Sequence, residues 1–382
     1  MDLARIQAAL QEQGLDAWLF YDHHGRDPIA YRLLGLDPSA HVTRRWYYLV
    51  PAQGEPRKLV HRIESFRLDG LPGAKQMYSS WQEHESQLAG MLCPFTRVAM
   101  QYSPRNAIMY VSMVDAGTVE LLRGLGKTIV SSADLISHFE AVLGEEQIAS
   151  HYEAQRAIDA ILPEGFKELR HRLDTGRTTT EYDLVMWLAE AMRREGLEWE
   201  HGPNVSVNEN SADSHYEPRP STSRTIEDGD FLLVDIWGRK ARPGSCFYDI
   251  TWTGVVGREP TPREQQVFLA VREARDAAIA AIQQAFAAGM PIAGWQADDA
   301  ARRVIEHAGF GPYFTHRTGH NIGAEIHGSG AHLDNLESHD ERVLLPCTCF
   351  SVEPGIYLPE FGIRSEINMM TSAREAVVTG RV

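Results

Sequence analysis

The run Gly229-Asp230-Phe231-Leu232-Leu233-Val234-Asp235-Ile236-Trp237-Gly238 places a carboxylate directly after four apolar residues that read as a buried strand. An acid in that position is costly unless it is paired, hydrogen-bonded or bound to a cation. Taken alone, Asp235 reads as a turn aspartate at a strand end. Phe247-Tyr248-Asp249-Ile250-Thr251 follows, with Asp249 fourteen positions after Asp235 and Arg242-Pro243-Gly244 between them. That is hairpin spacing, so the two acids can face each other across adjacent strands. Two carboxylates held together need a cation or a shared proton. A salt bridge to Arg239, Lys240 or Arg242 is the competing reading.

Further along, Phe314-Thr315-His316-Arg317-Thr318-Gly319-His320-Asn321-Ile322-Gly323-Ala324-Glu325-Ile326-His327 sets three histidines within twelve positions, spaced by glycines. Packing alone explains such a cluster poorly. Ser351-Val352-Glu353-Pro354-Gly355 ends another apolar run in an acid, and Glu366 stands thirteen positions later, beyond a Pro359/Gly362 turn. It reads as the hairpin partner of Glu353, and like charges so placed are destabilising without a counter-ion. Arg364 is the structural candidate for that counter-ion. Asp235, Asp249, His320, Glu353 and Glu366 together are enough to hold two divalent cations. Such a pair can ionise a bridging water at neutral pH, which points to a hydrolase. The carboxylate-rich set favours a hard metal such as Mn, with Co and Zn as alternatives. His215, in Ser211-Ala212-Asp213-Ser214-His215-Tyr216, is a separate candidate whose ordinary reading is a loop histidine. Cys347-Thr348-Cys349 reads as packing rather than as a metal site.

The rest of the chain bounds this reading. With 382 residues, 43% hydrophobic and 23% charged, it reads as an ordinary globular protein of two domains. A net charge of −15 without a long basic run argues against a nucleic-acid partner. The start, Met1-Asp2-Leu3-Ala4-Arg5-Ile6, has no basic or apolar leader pattern, and no run approaches a membrane span, so neither a signal peptide nor a membrane partner is expected. Four cysteines (Cys93, Cys246, Cys347, Cys349) suggest no disulfide framework, and a reducing cytoplasm is the expected compartment. Residues 2–13 read as a helix closed at Gly14. Strands are expected at 16–21, 45–50, 58–61, 98–102 and 128–130, giving a first α/β domain over 1–147. Residues 148–382 form the second domain. Helices are expected over 146–174 with a kink or break at Pro163, from Thr180 to Glu195, from Thr261-Pro262 to Ala288, and from Gln296 to Ala308. Strands and loops fill 313–380.

His215-Tyr216, Gly229 to Asp235, Tyr248-Asp249-Ile-Thr, Gly319-His320-Asn-Ile-Gly, Glu325-Ile-His327, Val352-Glu353-Pro-Gly-Ile-Tyr357 and Gly362-Ile-Arg364-Ser-Glu366 resemble, in order and local sequence, the pita-bread metallopeptidases. That family includes methionine aminopeptidase, aminopeptidase P and prolidase. The resemblance covers about residues 150–382, and the first third is similar to the smaller domain of prolidase and creatinase. It implies an α+β fold with a C-terminal pita-bread domain preceded by a smaller α/β domain. It implies Asp235 on a first metal, His320 and Glu353 on a second, and Asp249 and Glu366 bridging them. A hydroxide between the metals would attack the peptide carbonyl, and Glu353 would carry a proton to the leaving nitrogen. His215 and His327 would hold substrate and stabilise the oxyanion, with His316 and Arg364 in support. Arg342, with Arg219 and Arg224 behind it, is the candidate for the substrate carboxylate. Xaa-Pro dipeptidase on small peptides is the first reading and aminopeptidase P on longer peptides the second. C–N hydrolysis or lyase chemistry and a non-catalytic peptide-binding module follow. A homodimer is the family expectation. Three departures stand out: the fourteen-residue Asp spacing, Arg364-Ser-Glu366-Ile-Asn for a usual Arg-Ile-Glu-Asp, and Gly328 where an acid is common.

Overall fold

Strands β1 (Ala17–Asp22) and β2 (Trp46–Pro51) are buried at every position. Their unbroken apolar sequences require this, because a strand covered on both faces has no wet side. In the computed structural model, which describes residues 1–381, they centre a mixed sheet completed by β3 (Arg57–His61), β4 (Ala74–Tyr78), β5 (Arg97–Met100) and β6 (Thr128–Ser131). The order is β4-β3-β2-β1-β5-β6. Alternate side chains feed two cores. Trp18, Phe20, Trp46 and Tyr48 pack with α1 (Leu3–Glu12), α2 (Pro28–Leu34) and α5 (Ala133–Ile136). Leu19, Tyr21, Tyr47 and Leu49 pack with α3 (Trp81–Leu92) and α4 (Ala116–Gly124). Strand β4 was not expected from the sequence. Four of its five residues are exposed, so it carries edge polarity instead of an apolar run.

The chain divides into two compact units, with the junction between Glu140 and Ala141. The expected boundary at 147/148 falls inside helix α6 (Glu145–Asp174), which belongs wholly to the second unit. That helix runs unbroken through Pro163. Helix α7 (Glu181–Arg194) starts at a capping box between Thr180 and Asp183. These helices pack on β7 (Leu197–Glu198), β8 (Asn204–Val207), β9 (Phe231–Lys240) and β10 (Tyr248–Val255). Strand β9 pairs with β10 on one side and with β7 and β8 on the other. Helices α8 (Pro262–Ala288) and α9 (Gly294–His307) back a second sheet, ordered β11 (Asn321–Ile322), β12 (Cys349–Val352), β15 (Ile367–Thr371) and β16 (Ala376–Thr379). The hairpin β13 (Gly355–Leu358) and β14 (Phe361–Arg364) is inserted between β12 and β15. Thr261 and Glu264 box the start of α8, and Gly289 in the left-handed region (φ 65°) ends it. Among the described residues no helix is long and apolar enough to cross a membrane.

Pro163 leaves the Asp159 carbonyl without its helical donor and crowds it. Pro163→Ala is therefore expected to raise unfolding free energy by about 1 kcal/mol or more. Denaturant unfolding of the two proteins checks this, and an unchanged midpoint would mean the proline is already fully accommodated.

Candidate metal centre

Two strand pairs deliver the acids. In the β9–β10 ladder Asp235 lies opposite Thr251, and Trp237 lies opposite Asp249. The aspartates are therefore diagonal neighbours on one face, one step off the directly opposed pair the spacing suggested. In the β12–β15 ladder Val352 lies opposite Ile367. Glu353 follows the one and Glu366 precedes the other, so both acids emerge at the same end of this pair, with the β13–β14 hairpin looping out between them. His320 is tied beside them. The Ser351 N–H donates to the His320 carbonyl, and the His320 N–H donates to Ser351 Oγ, both at 2.9 Å. The backbones approach so closely that a Cβ on Gly319 would lie 2.0 Å from the Ser351 carbonyl oxygen. Only glycine fits there.

The side chains converge. His320 Nε2 is 3.3 Å from Glu353 Oε1 and 3.6 Å from Asp249 Oδ2. Ligand atoms of Asp249, His320 and Glu366 lie within 4.8 Å of one another, and all three residues are buried. Hydrogen bonds aim the acids. Thr251 Oγ1 donates to Glu366 Oε2 at 2.7 Å, and Ser351 Oγ donates to Glu353 Oε1 at 3.0 Å. The Asn368 amide takes both backbone groups of Asp249. Arg364 donates to Asp235 Oδ2 and, at 2.9 Å, to Thr251 Oγ1. Thr251, Ser351 and Asn368 were not singled out from the sequence. Each sits two residues from a proposed ligand, so the period-2 alternation that places a strand's side chains on one face was the available signal.

The donor set is unbalanced without cations. Four carboxylates face one guanidinium, and Asp235 Oδ1, Asp249 Oδ1 and Glu366 Oε1 are buried with no hydrogen-bond partner. Burial, reinforced by the neighbouring acids, pushes Asp235 up to about 7. It likewise raises Asp249, and it takes Glu366 well above the usual carboxylate range. Glu353 goes the other way. Burial works against its charge, but His320 and Arg364 outweigh that and hold it below the ordinary value. Free carboxylate oxygens of three residues beside one imidazole suit divalent metal, because each oxygen left without a donor is one a cation satisfies. Arg364 on the other oxygen of Asp235 is the kind of outer partner that orients a metal ligand.

The remaining sequence candidates fall into three groups. His327 stands edge-on to His320, with ring centroids 4.3 Å apart. That neighbour holds His327 below the ordinary histidine range, so its ring is neutral at pH 7. His316 Nε2 is 2.7 Å from Tyr357 Oη, which also accepts from Arg364. A chain of contacts thus runs from His316 through Tyr357 and Arg364 to Asp235. His215 is exposed, but its loop is clamped. The buried Glu181 carboxylate accepts from Tyr216 Oη at 2.5 Å, from Asn210 Nδ2 and from the Val207 and Arg224 N–H groups. Asn204, opposite Asp235 in the β8–β9 ladder, donates to the Tyr216 carbonyl.

Arg342 is the correction. It is 2% exposed, its Nε and Nη2 donate to Asp340, and its Nη1 donates to the Ser329 carbonyl. A guanidinium so committed is a structural partner of Asp340 rather than a ready site for a substrate carboxylate. Arg219 and Arg224 are exposed and face Glu217 and Glu209. The Gly328 departure also has a cause: a Cβ there would lie 2.2 Å from Asn321 Oδ1, so a side chain would push that amide off the Gly330 N–H it accepts from.

Residues 150–373 match the model of metallopeptidase family M24. The chain is 32% identical over 321 residues to a probable dipeptidase, PepE, of Mycobacterium tuberculosis, covering 83% of this chain and 78% of that one. It is 28% identical over 235 residues to an Xaa-Pro dipeptidase of Lactobacillus delbrueckii, of which it spans 58%. Among solved structures, dipeptidase PepE from Mycobacterium ulcerans superposes with a TM-score of 0.68 at 25% identity, covering 100% of this chain and 95% of that one. The prolidase from Pyrococcus horikoshii superposes at 0.63 and 21%, covering 100% and 98%, which supports the fold alone. The α+β architecture is the pita-bread fold of these structures, preceded by the smaller α/β unit.

Two outcomes follow from this geometry. Arg342→Met strands Asp340 in the interior and is expected to cost about 3–5 kcal/mol of stability. Thermal unfolding alongside KM for a dipeptide checks it; a raised KM at unchanged stability would return Arg342 to the substrate site. Asp235 has a folded pKa above its unfolded value, so its folded form holds the proton longer and its contribution falls as pH rises from 3.8 to about 7. In chelator, wild type is therefore expected to lose stability relative to Asp235→Asn across that window. Denaturant titrations at several pH values read this difference, and a flat profile would mean the cluster is not electrostatically frustrated.

Proposed function

We propose, since the chain belongs to metallopeptidase family M24, that it is a dinuclear Xaa-Pro dipeptidase, cutting the imide bond before proline. The observation that carries this is the trio of partnerless carboxylate oxygens on Asp235, Asp249 and Glu366, the last two of which gather with His320. The substrate class rests on the dipeptidase and Xaa-Pro dipeptidase relatives. Asp235 would hold one cation through Oδ1, and His320 and Glu353 the other, with Asp249 and Glu366 shared. Manganese leads for this carboxylate-rich shell, with cobalt and zinc as alternatives. Bound there, the pair supplies Lewis acidity and lowers the pKa of a water to near neutrality.

The protein's own groups do the rest. Glu353 is held ionised beside His320, so it can accept a proton and pass it to the departing proline nitrogen. That nitrogen must gain one proton to leave as a neutral amine, and Glu353 is placed to supply it. His327, neutral and next to His320, can donate to the carbonyl oxygen as negative charge builds on it. His215 serves the same oxygen or the substrate from the loop clamped by Glu181. Arg364, Tyr357 and His316 keep Asp235 aimed.

Chelator-stripped protein, assayed with and without Mn2+ on Ala-Pro, Met-Pro and Ala-Pro-Ala, tests the reading. Metal-dependent cleavage of the two dipeptides, abolished by Asp249→Ala, is the expected result. Turnover of the tripeptide alone would shift the assignment to aminopeptidase P, and turnover of none despite bound metal would remove the substrate class. His327→Ala is expected to lower kcat/KM by about 100-fold with metal content unchanged, the loss typical of one oxyanion donor.

A further inference from the structure

A second cluster of ligand-type side chains lies apart from the carboxylates in the same unit. His151 on α6, Cys246 just before β10 and Cys349 on β12 are each 0% exposed. Their ligand atoms lie within 4.8 Å of one another. A zinc-type ion, with bonds of about 2.3 Å to sulfur and 2.0–2.1 Å to nitrogen, sets tetrahedral ligands about 3.5–3.8 Å apart. The Cys349 Sγ to His151 Nδ1 distance is 3.8 Å, so little movement is needed.

The surroundings are those of a metal-binding histidine. Nδ1 is the nitrogen facing the sulfurs, and Nε2 lies 2.8 Å from Thr379 Oγ1. Were the imidazole hydrogen on Nε2, the threonine oxygen would accept it and Nδ1 would be free to coordinate. Nδ1 is also 2.5 Å from the Phe247 carbonyl, which is 3.6 Å from Cys246 Sγ as well. In the metal-free protein that carbonyl takes the Nδ1 hydrogen, so an ion would replace this hydrogen bond and leave the imidazole hydrogen on Nε2, facing Thr379.

We propose that His151, Cys246 and Cys349 form a third cation site, for a soft or borderline divalent metal of the zinc type. It is separate from the catalytic pair and does not depend on the peptidase reading. Binding would release the two thiol protons, move the imidazole hydrogen from Nδ1 to Nε2, and break no covalent bond between heavy atoms. The two clusters sort metals by ligand chemistry, since one offers thiolates and imidazole and the other carboxylates and imidazole.

The carboxylate cluster has no sulfur, so sulfur-to-cobalt charge transfer in the near ultraviolet reports the new site alone. Full-length protein carrying Cys93→Ser and Cys347→Ser, which removes the two more accessible thiols, is reduced, stripped with chelator and titrated with Co2+. A charge-transfer band that saturates with one equivalent, is bleached by one equivalent of Zn2+, and is lost in Cys246→Ala and Cys349→Ala is the expected result. Absence of the band in the folded parent overturns the proposal without any appeal to the variants. So does a band that survives both alanine substitutions. Peptidase activity is not used as a readout, so failure here is distinct from failure of the dipeptidase assay.

Discussion

Mutual repulsion among four crowded carboxylates, Asp249 and Glu366 buried and Asp235 and Glu353 partly so, is the constraint around which the second unit is arranged. Like charges a few ångströms apart in a dry interior cannot all ionise unless a cation joins them. Arg364 meets part of the demand at Asp235, and His320 meets part at Glu353. Oxygens on Asp235, Asp249 and Glu366 are left over. The fold can hold this unfavourable group because Asp235 and Asp249 share one face of the β9–β10 pair and Glu353 and Glu366 one end of the β12–β15 pair, each sheet backed by its own helix pair and apolar core. Stability comes from the cores, and the site is carried at their margin.

Environment, rather than residue type, separates the four acids. Asp235, Asp249 and Glu366 are pushed toward the protonated form, while Glu353 is held ionised. The difference is positional. Glu353 lies past the end of β12, where the His320 ring and the Ser351 hydroxyl reach it. Of the four acids, Glu353 is the one whose surroundings favour the ionised form, which suits it to accepting a proton.

Much of this was legible in the sequence because each candidate ligand adjoins an apolar run, and acids in such runs have few explanations. Helices α1, α7 and α8 were equally plain, since caps and terminal glycines mark them. Register was less legible. Counting residues between Asp235 and Asp249 gave the shared face but not the diagonal offset, and the inserted β13–β14 hairpin hid that Glu353 and Glu366 extend a different ladder. Pro163 misled because a proline disfavours a helix interior locally, whereas the packing of Ile158, Ile161, Leu162 and Leu169 on both sides of it holds α6 together. Arg342 misled for the opposite reason: nothing local distinguishes a guanidinium that binds substrate from one buried on Asp340.

The cysteines show the limit most clearly. Cys347 and Cys349 are adjacent in a strand-like pattern, yet Cys347 adopts a positive φ of 59° outside β12. Cys349 instead meets Cys246 and His151, which are remote in sequence and come together only when α6 packs over β10. Strand alternation then gives the pairing a consequence. Cys349, Ser351 and Glu353 follow one another at every second position, so they share a face and lie within about 13 Å along it. One short strand thus ends in the carboxylate cluster and begins in the thiol cluster. Ser351 stands between them, holding the His320 backbone on one side and Glu353 on the other.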